Sequence, residues 1–183
     1  MLLAAASINK TMSTSGMAET GDVYDTLSTS DPAADLACLG VAEVGLQLAY
    51  TGSGWSAVRS RVVHQKGDTY DDWAKEAVVG FPSAKDASAF YDASVDKWPK
   101  CSDRRYSYPR ADGSAAVWTV ADVANDDGIL STQKTLEGGD GWACQHALTA
   151  GNNVVVDVIA CSVRPLADAA RTMAGDIRAR ITA

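Results

Sequence analysis

The chain has 183 residues, 46% of them hydrophobic and 21% charged, with a formal net charge of −7. That is enough chain for one domain with a sizeable core and short for two. The acidic balance argues against nucleic acid or an anionic membrane surface as a partner, since both attract basic faces, and Arg104, Arg105 and Arg110 are the one basic cluster.

The opening MLLAAASINK lacks the basic n-region of a secretory signal, so the sequence reads as the start of a domain excised from a longer chain or of a mature protein. No run approaches the roughly 18 to 20 apolar residues that span a bilayer. A membrane connection is therefore expected only through an anchor or transmembrane helix outside this sequence. Residues 7–13 suit a short helix, and 13–35 are polar and turn-rich. Residues 34–49 are apolar but interrupted by Gly40 and Gly45, which reads as a helix or an irregular segment.

Two strands are expected at 56–65 and 73–81, rich in valine and aromatics. Ser83 is a plausible N-cap with Asp86 three residues on. The helix it opens carries Ala87, Phe90, Tyr91, Ser94, Val95 and Trp98 on one face and ends at Pro99. Strands follow at 104–108, 115–124 and 129–137, the last after the turn Asn125-Asp126-Asp127-Gly128. Two more lie in GWACQHALTAGNNVVVDVIAC, residues 141–161. A closing helix is expected from Pro165 to about Ile181. Tight turns make successive strands antiparallel, so the fold class is α+β: a twisted antiparallel sheet with the two main helices packed on one side and two disulfides.

The four cysteines, Cys38, Cys101, Cys144 and Cys161, form no CxxC pair, and two histidines leave a zinc site little to draw on. Wide, even spacing suits disulfides in an oxidising compartment; four buried thiols of a cytosolic protein are the alternative. Placing Asn152-Asn153 at a hairpin turn sets Cys144 opposite Cys161, within reach of a cross-strand disulfide. Cys38 then pairs with Cys101. The same register puts His146, Leu148, Asp157 and Ile159 on the face of the cysteines. Gln145, Ala147, Val154, Val156 and Val158 fall on the other face, which is expected to be the buried one. His146 and Asp157 become diagonal neighbours, read as a surface polar pair. A hydrolase built on them needs a nucleophile, and neither Ser131 nor Ser162 sits in a GxSxG turn.

Asp68, Asp71, Asp72 and Glu76 lack the calcium-loop pattern and read as a solvated turn. Gly138, Gly139 and Gly141 lack the GK[ST] of a phosphate loop. No cofactor or metal is expected. Five tryptophans are many for this length. Most suit the core, and one or two suit a groove. Arg104, Arg105, Tyr106 and Tyr108 would make a polar-aromatic rim for an anion or a sugar, with an exposed edge strand as the plainer reading. The candidate ligand contacts are Trp98, Arg105, Tyr106, Tyr108, Trp118, His146 and Asp157.

Gly141-Trp142, Cys144-Gln145, Ala147-Leu148, Asn153 to Val158 and Ala160-Cys161 together resemble the PknH-type extracellular sensor domain of mycobacterial receptor serine/threonine kinases and related lipoproteins. Cys38, the Trp98-x-x-Cys101 helix ending and the closing helix extend the resemblance over nearly the whole chain. It implies an α+β domain with the two disulfides paired as above, a cell-envelope or secreted location, no enzymatic activity, and a cleft for an unidentified small ligand or envelope component. A protein-docking module is the alternative use of such a domain. The oligomeric state is left open.

Overall fold

The computed structural model describes residues 1–29, 36–67, 69–109 and 113–182. Asp68 and the turn residues Arg110, Ala111 and Asp112 lie outside them, as does part of the apolar segment expected at 34–49. The strands are β1 (Met17–Tyr24), β2 (Ala57–Gln65), β3 (Asp72–Gly80), β4 (Arg105–Pro109), β5 (Ala115–Val120), β6 (Ala124–Asp126), β7 (Ile129–Leu136), β8 (Ala143–Gly151) and β9 (Val154–Ser162). The helices are α1 (Ala5–Thr11), α2 (Leu39–Ala42), α3 (Gln47–Tyr50), α4 (Ala84–Lys97) and α5 (Ala169–Thr182).

All nine strands form one antiparallel sheet in the order β1-β2-β3-β9-β8-β7-β5-β4, with β6 paired to β7. The central hairpin has the expected register: Cys144 opposes Cys161, His146 opposes Ile159 and Leu148 opposes Asp157. Both disulfides are formed, Cys38–Cys101 and Cys144–Cys161.

The two long helices do not share a side. α4 packs over the face that carries Leu148, Val155, Ile159 and the Cys144–Cys161 bond. α5 and α1 pack over the opposite face, against Ala147, Val156, Val158 and Ala160. Strands β8 and β9 are therefore buried on both sides, and every residue of β9 is buried. The near-continuous run VVVDVIA is the pattern of a doubly covered strand rather than of a half-exposed one.

Local chemistry explains where the elements begin and end. Ser83 caps α4 by accepting from the Asp86 N–H at 3.2 Å while donating its hydroxyl to the Asp86 carboxylate at 2.7 Å. The chain passes Pro99 in a short 3-10 turn, Trp98–Cys101. α5 starts four residues later than Pro165, because Gln145 reaches across from β8 to organise its first turn: Nε2 donates to the Ala167 carbonyl at 3.0 Å and Oε1 accepts from the Ala170 N–H at 2.8 Å. The polar N-terminal stretch contains the edge strand β1, where Met17 alone is fully buried. The apolar segment before residue 50 forms the single-turn helices α2 and α3, laid across the α4 face.

Two expected solvated acids are core groups. Asp72 accepts from Thr14, Gln65, Ser162 and Arg164, and Glu76 from the Leu3 N–H and Arg61. Burial works to raise the Asp72 carboxyl, but those hydrogen bonds outweigh it and hold it below the ordinary range.

Candidate ligand cleft

His146 and Asp157 are buried beneath the helical layer and are not on the surface. His146 Nδ1 donates to the Val41 carbonyl at 3.0 Å, and Nε2 lies 2.6 Å from Asp157 Oδ1. Asp157 Oδ2 accepts from the Gly45 N–H and the Tyr50 hydroxyl, each at 2.9 Å. The Tyr50 phenol is pushed well above its ordinary value, first by burial and then by the charge and hydrogen bond of Asp157. Trp98 packs against the His146 ring at a tilt of 50°, with centroids 4.7 Å apart. This network clamps the 39–50 segment to the sheet. Ser131 and Ser162 pair from the opposite face, toward Arg171 and Asp72, and Ser94 of α4, which lines the cavity beside Asp157, donates its hydroxyl to the Phe90 carbonyl at 2.9 Å. Neither Ser131 nor Ser162 reaches the His146–Asp157 dyad. A cavity of about 150 Å³ beside Asp157, Tyr50, Phe90 and Trp98 is the small space left under α4.

The larger recess, about 360 Å³, lies on the same face, beyond the edge of the helical layer. Period-2 alternation brings its residues up from seven strands. Val62, Trp73, Lys75 and Tyr108 rise from β2, β3 and β4. Trp118, Lys134, Ile159 and the Cys144–Cys161 bond rise from β5, β7, β8 and β9. Tyr70 and Trp142 lean in from the turns before β3 and β8, with ring centroids 6.2 Å apart. Ala42, Glu43 and Val44 of the clamped segment close the remaining wall.

Lys134 stands opposite Cys144 in register, and its ammonium sits in the floor of this cleft. Nζ donates to the Ala42 carbonyl and lies 4.9 Å from the Trp118 ring centroid and 5.8 Å from that of Tyr106, a cation–π arrangement. Burial pushes its pKa down to about 8, against the pull of Glu43. Glu43 accepts from Lys75 at 3.3 Å and from Ser28 at 2.9 Å. The hydroxyls of Tyr106 and Tyr108 are buried without a hydrogen-bond partner among the described residues. Both phenols are pushed far above their ordinary value, first by burial.

Of the contacts expected from sequence, the cleft brings together Tyr108 and Trp118, with Tyr106 behind them packed edge-on against Tyr108. Trp98, His146 and Asp157 belong to the neighbouring clamp. Arg105 points away: its exposed guanidinium forks onto Glu137 with two contacts of 2.6 Å. The cleft adds Lys75 and Lys134, and two more of the five tryptophans, Trp73 and Trp142. Lys134 shares a face of β7 with Leu130 and Leu136, which marks its side once the pairing of β7 with β8 is known.

A disulfide-stapled antiparallel sheet, covered by helices on both faces and indented by an aromatic cleft, defines this molecule as an α+β domain. The model of the PknH-like extracellular domain family matches residues 1–180. The serine/threonine-protein kinase PknH of Mycobacterium tuberculosis (strain ATCC 25618 / H37Rv) is 34% identical over 182 residues, 99% of this chain and 28% of the kinase. PknH of Mycobacterium bovis is 33% identical over 182 residues, 99% of this chain and 29% of that protein. The chain thus spans less than a third of the curated relatives it matches. A crystal structure of the extracellular domain of PknH from Mycobacterium tuberculosis superposes with a TM-score of 0.92 at 31% identity, covering 98% of this chain and 92% of the other. The chain belongs to the PknH-like extracellular domain family.

Proposed function

We propose that this domain is the sensor of a larger envelope protein, a receptor kinase or a lipoprotein, and that it binds a small ligand in the cleft over β3, β9, β8 and β7. One observation carries the reading. A recess of about 360 Å³, the size of a small-molecule site, is walled by tryptophans and floored by a buried lysine next to unpartnered tyrosine hydroxyls. Burying such polar groups without partners costs about 1 to 3 kcal/mol each, so a ligand that satisfies them gains what the empty cleft leaves unmade. A concave, rigid recess suits a small molecule better than a protein surface. Among the described residues the large exposed apolar side chains are Met1, Val23, Tyr24, Leu48, Tyr70 and Val163, of which only Tyr70 lines the cleft.

A thermal-shift screen of small molecules tests the proposal, with hits repeated on Trp118→Ala. Ligands of this cleft raise the melting temperature of the wild type and lose most of that shift in the variant. Hits that shift both proteins equally would contradict the assignment.

A further inference from the structure

The polar inventory of the cleft is unbalanced toward donors. Glu43, the carboxylate that faces it, already accepts from Lys75 and Ser28. Lys134 brings an ammonium with three protons and spends one on the Ala42 carbonyl. The Tyr108 hydroxyl, also in the lining, has no partner among the described residues. The formal charge of the lining is that of Lys75, Lys134 and Glu43, one positive in excess, in a chain whose net charge is −7. Around these donors the walls are flat and apolar: Trp73, Trp118, Trp142 and Tyr70. A sugar or polyol would present as many donors as acceptors, and the one carboxylate of the lining is already engaged by Lys75 and Ser28. A neutral apolar molecule would fill the walls and leave the ammonium and the hydroxyl unpaired.

We propose that the cleft takes an organic anion: a flat apolar body held between the tryptophans, with a carboxylate, sulfonate or phosphate group accepting from Lys134 Nζ and the Tyr108 hydroxyl. The proposal rests on the reading of the cleft as a ligand site. Charge-assisted hydrogen bonds in a water-poor floor are the strong kind, and the low local dielectric raises their weight.

Two dyes with the same rings separate the two claims: 1-anilinonaphthalene-8-sulfonate and its uncharged parent N-phenyl-1-naphthylamine, titrated by fluorescence. The sulfonate binds the wild type roughly tenfold or more tightly than the neutral dye, although the neutral dye is the more apolar. Lys134→Met lowers sulfonate affinity about tenfold, the scale of one hydrogen bond to a charged group, and leaves the neutral dye within about twofold. Tyr108→Phe, at a partly exposed site that keeps its ring, lowers sulfonate affinity several-fold and tests the same point independently of the lysine. Trp118→Ala weakens both dyes. Equal affinity for the two dyes, or a sulfonate affinity untouched by both Lys134→Met and Tyr108→Phe, would overturn the anion and leave the cleft standing. Failure of both dyes to bind, or binding indifferent to Trp118→Ala, would overturn the cleft as well.

Discussion

Lys134→Met changes the pH dependence of stability in a direction the structure fixes. The native amine titrates at about 8 and the unfolded one at the ordinary 10.5. Below pH 8 both states hold the proton, and the native state carries the full penalty of a desolvated ammonium. That gap corresponds to about 3 kcal/mol at about 1.4 kcal/mol for each unit of pKa. Between pH 8 and 10.5 the unfolded chain keeps a proton that the native chain has released, so stability from this group rises with pH. From pH 7 to pH 10 the gain is about 2 to 3 kcal/mol, and Lys134→Met abolishes it. The buried phenols of Tyr50, Tyr106 and Tyr108 act oppositely: their raised native values mean stability lost above the ordinary tyrosine range. Wild type and variant share those tyrosines and Glu43, so the difference between the two proteins isolates the lysine. Urea unfolding at pH 7, 8, 9 and 10 is the assay. The difference in midpoint shifts toward the wild type by roughly 1 M over that range, for a slope near 2 kcal/mol/M. A difference that stays flat would refute the desolvated floor and the low-dielectric cleft with it.

The disulfides rank by the loops they close. Cys38–Cys101 spans 63 residues and Cys144–Cys161 spans 17, so paired alanine substitutions cost about 4 and about 3 kcal/mol under the chain-entropy account; denaturant melts that reverse the order contradict it. Asp157→Ala strands the Tyr50 hydroxyl, the Gly45 N–H and His146 without their shared acceptor and costs about 3 kcal/mol or more. Hydrogen exchange in that variant accelerates across residues 39–50 before the rest of the sheet, whereas uniform acceleration would show that the network is no local clamp. Ultraviolet titration of the folded protein, which has six tyrosines, leaves Tyr50, Tyr106 and Tyr108 protonated at a pH just above the ordinary value of about 10; burial raises Tyr91 as well. All six ionising together while the protein remains folded would contradict their burial.

The antiparallel architecture, the hairpin register and the Cys144–Cys161 disulfide are legible in the sequence because they rest on local chemistry: turn residues, alternation, and opposed cysteines one residue in from the strand ends; Cys38–Cys101 is then the pair that remains. Helix α4 is legible for the same reason, through Ser83 and Asp86. The layering is not. VVVDVIA reads as half-exposed if each strand is given one buried face, and it reads correctly once the sheet centre is covered on both sides. His146 and Asp157 mislead likewise, since their partners, the Val41 carbonyl, the Gly45 N–H and Tyr50, come from a segment more than 100 residues away. The cleft is half legible. Tyr108 and Trp118 stand out as aromatics on short strands. Lys134 looks like an ordinary solvent-facing lysine until the β7–β8 pairing sets it beside Cys144 and under Trp118. Gln145 organising the start of α5 is invisible in the same way, because long-range side-chain caps leave no local pattern.

A crystal structure of the domain with 1-anilinonaphthalene-8-sulfonate tests the account most directly. The account predicts the dye's rings between Trp118 and Trp142, with a sulfonate oxygen about 3 Å from Lys134 Nζ and another at the Tyr108 hydroxyl. Dye ordered elsewhere on the surface, over a cleft filled by water alone, would contradict it.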